Sequence, residues 1–258
     1  MGSLQYHDLD VRPGHRIGLY GPGGVGKTTL AACAPGPVVF LDLDMSLPVL
    51  RPELGPIDVR SVRGVDTWEA MLALLRGDGW ADVKTIVVDT ATRAEEMCAA
   101  WVIRNVPHEK DGVKIRRVED YGWGKGYQHI YETFIEFLMA LEAHTSNGRN
   151  VVLVSHECTA TVPNPIGADY MRFEPRLQSP ASGKGSIRLR VREWCDHLIF
   201  LGFDVSTNAD GKASGKGSRT AYVIETPWAM AKTRGGLNRP VVIDRMDDGF
   251  WTQLLGAQ

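Results

Sequence analysis

Neither sign of charge dominates this chain of 258 residues: 29 Lys and Arg stand against 31 Asp and Glu, a formal net charge of −2. A global electrostatic pull toward nucleic acid or anionic lipid is thereby excluded, and any such binding has to come from local patches. Cysteine is scarce, with Cys33, Cys98, Cys158 and Cys195 far apart and no C-x-x-C pair. That spacing offers neither a zinc site nor a redox couple and fits reduced thiols of a cytoplasmic protein. No apolar run approaches a membrane span, and the first residues lack a basic-then-apolar signal pattern, so the expectation is a soluble, intracellular chain with no membrane partner. Internal repeats are also missing. What is present is 43% hydrophobic residues, enough at this length to bury the core of one α/β domain spanning residues 1–258.

The most informative stretch is Arg16-Ile-Gly-Leu-Tyr-Gly-Pro-Gly-Gly-Val-Gly-Lys-Thr-Thr-Leu30. Ile17 to Tyr20 reads as a buried strand, Gly21 to Gly26 as a glycine-rich turn, and Lys27 onward as the start of a helix. This is the phosphate-binding pattern G-x-x-x-x-G-K-[ST] in its strand, loop, helix setting. From average residue usage it arises by chance in about one chain in a hundred of this length, so a turn that binds nothing is the weaker explanation. Gly21, Gly23, Gly24, Val25 and Gly26 would cradle the phosphates of ATP with main-chain N–H groups. Lys27 would reach the β- and γ-phosphates, Thr28 would ligate Mg²⁺, and Thr29 lies near the α-phosphate.

Further strands follow the same logic of apolar runs ending in polar residues. Val38 to Asp44 closes on two acids, Asp42 and Asp44, which point to one side of an extended strand. A proline-rich loop is expected next, with Pro48, Pro52 and Pro56, then a short strand at Val59 to Val62 and a helix capped by Thr67. Lys84 to Thr90 is a strand with Asp89 at its C-terminal end, the place for an acid that holds Mg²⁺ through water. Residues 91–104 read as a helix, 105–126 as an irregular connection with Lys110, Lys114, Arg116 and Arg117, and Tyr127 to Ala143 as a helix. Asn150 to His156 is another buried strand. Residues 157–192 look loop-like, His197 to Phe203 and Arg219 to Glu225 form a hairpin around a flexible turn at 204–218, and Val241 to Ile243 precedes a short C-terminal helix. The alternation predicts a mostly parallel sheet flanked by helices and extended late by antiparallel strands.

No glutamate follows Asp89; its successors are Thr90, Ala91 and Thr92. The acid pair at the end of the preceding strand, the polar His156 ending the strand beyond Asp89, and Lys232-Thr-Arg234 before Gly235 resemble, in that order, the RecA-like ATPase core. The resemblance spans residues 16–245 and is closest to the minimal single-domain proteins that phages encode beside recombination and single-strand annealing genes. It implies Asp44 as catalytic base with Asp42 second, His156 as γ-phosphate sensor, and Lys232 and Arg234 as a finger pair reaching the nucleotide of a neighbour in a homo-oligomer. It also implies single-stranded DNA as partner, held by basic segments at 110–117, 184–192 and 212–219 with Tyr121, Trp123, Tyr127 or Tyr170 for stacking. Gly-Gly-Val-Gly-Lys-Thr-Thr and Leu41-Asp-Leu-Asp44 also resemble dimerising ATPase switches of the ParA and MinD type, but Pro22 stands where that family has a lysine. A small-molecule kinase is a third alternative, for which no acceptor site is evident.

Overall fold

The computed structural model describes residues 13–54, 57–181, 183–207 and 213–256. The tip of the expected 204–218 turn, residues 208–212, falls outside them. In chain order the strands are β1 (Arg16–Gly21), β2 (Val38–Asp42), β3 (Val59–Ser61), β4 (Thr85–Asp89), β5 (Asn150–Val162), β6 (Tyr170–Pro175), β7 (His197–Thr207), β8 (Ala213–Tyr222), β9 (Lys232–Thr233) and β10 (Val241–Ile243). The helices are α1 (Lys27–Ala32), α2 (Leu47–Leu54), α3 (Trp68–Arg76), α4 (Ala91–Asn105), α5 (Lys125–Ser146), α6 (Ile187–Trp194) and α7 (Gly249–Leu255).

The sheet runs β10-β8-β7-β1-β5-β4-β2-β3, with β6 attached to β5 and β9 to β7. From β3 through β7 the neighbours are parallel, whereas β8 pairs antiparallel with both β7 and β10. The central strands are apolar on both faces because both are covered. Alternate residues of β2 go to opposite sides: Val39 and Leu41 join Trp68, Cys98 and Phe134 beneath α3, α4 and α5, while Val38 and Phe40 join Leu30, Leu47 and Trp251 beneath α1, α2 and α7. This packing brings the C-terminal ends of β1, β2 and β4 together beside the middle of β5. Among the described residues, no helix is long and apolar enough to cross a membrane.

Several expectations need correction. The loop expected over 157–192 is largely regular structure. β5 continues to Val162 and pairs antiparallel with β6, from Glu157 opposite Pro175 to Val162 opposite Tyr170. The returning strand is fastened by the buried Arg172, which bonds Glu174 at 2.6 Å, and Glu174 also accepts from Arg188 at 2.6 Å. The arginines at 188, 190 and 192 sit on α6, whose Ile187, Val191 and Trp194 are buried at helical spacing and whose Ser186 accepts from Leu189 N. The proline-rich stretch after Asp44 is also helical. Pro48 lies in the first turn of α2, where its missing N–H has no partner to lose. Finally, β2 ends at Asp42, and Leu43 N and Asp44 N both donate to Asp89 O, so the chain bends there and the two acids diverge.

Candidate nucleotide site

The phosphate-binding turn leaves β1 between β7 and β5. Gly21 can have no side chain, because a Cβ there would stand 2.1 Å from Leu201 O. Gly26 adopts φ +96° and passes beneath Met246, whose Cε lies 2.6 Å from the position a Cβ would take. Val25 is buried and anchors the turn in the core, whereas Gly23 and Gly24 are exposed. Lys27 is buried and donates to Gly21 O and Pro22 O, each at 2.8 Å. Burial lowers its pKa, opposed by the charges of Glu157 and Asp89.

The acids arrive from the neighbouring strands. Asp89, 2% exposed at the end of β4, accepts from the Thr28 hydroxyl at 2.6 Å. Its pKa is pushed up to about 6, chiefly by burial; the Thr28 bond opposes this and the charges of Asp42 and Asp44 add to it. Asp42 accepts from Ser46 N and Leu47 N and so holds the start of α2. Asp44 instead faces the cleft, where Thr90 donates to its Oδ2 at 3.0 Å and His156 Nε2 lies 3.8 Å from the same oxygen. Thr90 also caps α4 by accepting from Arg93 N at 3.1 Å. Its hydroxyl thus links the strand carrying Asp89 to Asp44. Burial, then the charges of Lys27 and Arg176, lower the pKa of His156, which keeps its ring neutral at neutral pH. Its main chain is fixed on both sides, since His156 N donates to Thr92 Oγ1 at 3.2 Å and Arg176 N donates to His156 O at 2.8 Å.

These groups enclose a cleft of about 570 Å³, lined by Gly23, Gly24, Gly26, Lys27, Thr28 and Thr29 on one side and by Asp44, Asp89 and His156 on the other. A cavity of similar size, about 580 Å³, lies between Trp80 and Asn147. Its His144 is bound to Leu75 O at 2.8 Å, and among the described residues no acid is hydrogen-bonded to that ring. The first cleft is the one with chemistry. A cation that was not among the sequence's site candidates also lines it: Arg219 of β8, which the sequence places in a basic loop segment.

Lys232 and Arg234 stand elsewhere. β9 pairs with the first residues of β7, Thr233 opposite His197, and His197 is level with Ile17 at the start of β1. The cleft lies past the other end of β1, four residues or about 13 Å further along the strand. Lys232 Nζ donates to Arg192 O at 2.9 Å and Glu193 O at 3.2 Å, and Arg234 pairs with Asp196 at 3.0 Å. The chain's own fold does not bring this pair to its own cleft, so a phosphate contact from it would be to the nucleotide of another copy.

Residues 14–235 match the family described as AAA domain. The chain belongs to the AAA domain family. The match runs from the entry to β1 through Arg234 and so contains every candidate residue named above. The membership and the phosphate-binding turn assign this AAA domain to the P-loop ATPases. No curated protein matches the chain. Among solved structures, a KaiC-like protein of the hyperthermophilic archaeon Pyrococcus horikoshii OT3 is similar over 81% of this chain and 78% of its own, with a TM-score of 0.42 and 17% identity.

Proposed function

We propose that this AAA domain is a magnesium-dependent ATPase that couples hydrolysis of the γ-phosphate to single-stranded DNA, in the setting of recombination or strand annealing. One observation carries the catalytic half: Asp44, Asp89 and His156 come from three different segments to line one cleft with Lys27 and Thr28. Asp44 is the base that orients the attacking water and draws off its proton. His156, neutral and 3.8 Å from that carboxylate, reads whether the γ-phosphate is present. Lys27 exchanges the carbonyls of Gly21 and Pro22 for phosphate oxygens when nucleotide enters. Thr28 and Asp89 form a hard-oxygen donor set that fits Mg²⁺, and the bound ion would offset charge on the phosphates.

The coupling half rests on how His156 is tied. Its main chain joins the start of α4 through Thr92 and the segment after β6 through Arg176. The 22 residues of α5 lead back to the start of β5. At 1.5 Å per residue, the helix begins near the end of the sheet where the cleft lies. Just before it stand Trp123, 100% exposed, and the exposed Lys114 and Arg116. An unburied indole in a connection that also carries exposed cations suits stacking on unpaired bases. The other predicted contacts fit less well, because Tyr121 is buried and donates to Val102 O and Val106 O, and Arg188 and Arg192 are neutralised by Glu174 and Glu225. Lys232 and Arg234 give a reason for a homo-oligomer with sites shared between copies.

Steady-state phosphate release, measured with and without a single-stranded oligonucleotide over a range of protein concentrations, tests this reading. Expected are stimulation by the oligonucleotide, a more-than-linear rise with protein, and about tenfold weaker, salt-sensitive oligonucleotide binding in Trp123→Ala. Turnover indifferent to the oligonucleotide, with no binding at low salt, would remove the DNA half and leave the ATPase.

A further inference from the structure

We propose that Arg219 is a nucleotide-binding residue supplied by the same chain as the phosphate-binding turn, gripping the phosphates that are not transferred. The inference rests on the nucleotide-site reading above and adds a residue to it.

Register places Arg219 where it needs to be. Phe200 of β7 is paired with Tyr20 of β1 on one side and Tyr222 of β8 on the other, and Arg219 is paired with Phe203. Arg219 therefore stands about three residues beyond the level of Tyr20, past the end of β1, where the glycine-rich turn begins. Alternation fixes its face. Ala221 and Val223 are buried with Leu30 under α1, so Arg219, two residues before Ala221, emerges on the side of the sheet that carries α1. Thr220, between them, turns the other way and donates to Asp204 at 2.7 Å. The guanidinium carbon of Arg219 lies 3.9 Å from the point where a Cβ on Gly26 would sit, beside Met246.

Its charge is uncommitted. Among the described residues Arg219 forms no ion pair, and its buried Nε has no hydrogen-bond partner. Other arginines that pack against structure have partners: Arg172 and Arg188 pair with Glu174, Arg192 with Glu225, Arg234 and Arg16 with Asp196, and Arg149 donates to Trp80 O. An arginine left unpaired beside a phosphate-binding turn is a donor lacking its acceptor. The opposite wall carries Asp44 and Asp89, so a polyanion entering this cleft meets two carboxylates. Among the described residues that line the cleft, Lys27 and Arg219 are the lysine and arginine that offset them.

Position decides which phosphates. β5 and β4 bring His156 and Asp89 up on one side of the turn, while β7 and β8 bring Arg219 up on the other. Arg219 thus sits away from the group to be hydrolysed, and its contact is made equally by a nucleoside diphosphate and a triphosphate. Uniform binding of this kind changes KM and the dissociation constant, and leaves kcat alone.

The test is titration of purified full-length protein with fluorescent ADP and with a non-hydrolysable ATP analogue, for wild type, Arg219→Ala, Arg219→Lys and Lys27→Ala. Arg219→Ala is expected to weaken both nucleotides by about tenfold or more, by the same factor, with Arg219→Lys between it and wild type. The melting midpoint without nucleotide should stay put, since no ion pair is lost. Mixing Arg219→Ala with Lys27→Ala subunits should leave the raised KM of Arg219→Ala unrestored, because both residues serve one chain's site. Unchanged ADP affinity in Arg219→Ala while Lys27→Ala loses it overturns this inference alone, as does a loss confined to kcat or a rescue on mixing. If wild type binds neither nucleotide, the nucleotide-site reading falls and this inference with it.

Discussion

At or past the C-terminal ends of β1, β2 and β4 and beside the middle of β5, Lys27, Asp44, Asp89 and His156 line one cleft. At the N-terminal ends of β1 and β7, Arg16, Asp196, Arg234 and His197 pair off with one another and with their surroundings. The ingredients are alike: basic side chains, an aspartate and a histidine on adjacent strands. At the second end each of these four side chains has a partner. Asp196 takes bonds from Arg16 at 2.9 Å and Arg234 at 3.0 Å, and His197 contacts Thr233 Oγ1 at 2.7 Å and His15 Nδ1 at 3.2 Å. At the first end the groups are only partly satisfied by each other. Lys27 holds loop carbonyls, Asp89 is a buried carboxylate with a raised pKa, and Asp44 and His156 are held 3.8 Å apart. A matched cluster holds the fold, whereas an incompletely matched one around a cleft is arranged for something that arrives.

Mutations should separate the two ends. Lys27→Ala should remove ATP turnover altogether, at least about a thousandfold, by loss of both binding and charge stabilisation. Detectable turnover at the wild-type rate would show that the cleft is not the active site. Arg234→Ala is the variant that could blur the contrast. If the finger reaches a neighbour's nucleotide, hydrolysis falls by about a thousandfold at unchanged nucleotide affinity, and mixing with Lys27→Ala subunits recovers part of it. If it serves Asp196 alone, turnover holds and stability falls by roughly 1 kcal/mol or less. Asp44→Asn should lower kcat by about a hundredfold or more with little change in nucleotide affinity. Equal losses in both would make Asp44 a binding group and not a base.

The second end should announce itself through acid stability. Burial, then the neighbouring His15, lowers the pKa of His197 to about 4, while Asp196 opposes them and Lys232 and Arg234 add to them. An unfolded histidine takes its proton near pH 6.5 and the folded one only near 4. The stabilisation is therefore complete above pH 6.5 and is lost as the pH falls toward 4, by roughly 2 to 3 kcal/mol at pH 4.5. Urea midpoints of wild type and His197→Asn at pH 7.5 and 4.5 measure this. The variant should show the smaller acid loss, and equal losses would assign the acid sensitivity to other groups.

What the sequence allowed one to read depended on distance along the chain. The phosphate-binding turn is contiguous, and Asp89 ends an apolar run, so both are legible without knowing any contact. Asp44 was legible as an acid past the second strand, but not the bend at Leu43 that sends Asp42 to cap α2. The β5–β6 hairpin was hidden because Glu157 to Val162 is only half-buried and its partner lies across a turn rich in Pro and Gly. α6 was hidden because its arginines outweigh Ile187, Val191 and Trp194 in composition, though not in spacing. Arg219 could not be found locally at all. Its neighbours in sequence are Gly, Ser and Lys, and only the pairing of β8 with β7 carries it to the turn that leaves β1.

The Trp251 indole N–H donates to Leu30 O at 2.8 Å across 221 positions of chain. Leu30 belongs to the short helix that starts at Lys27, and Phe250, Trp251 and Leu254 pack in the same core. A ribosome finishes Leu30 and must then add 221 more residues before the one that braces this helix exists. A six-residue helix cannot hold itself in water. During synthesis the turn is therefore written but not braced until α7 has been made and can close over α1.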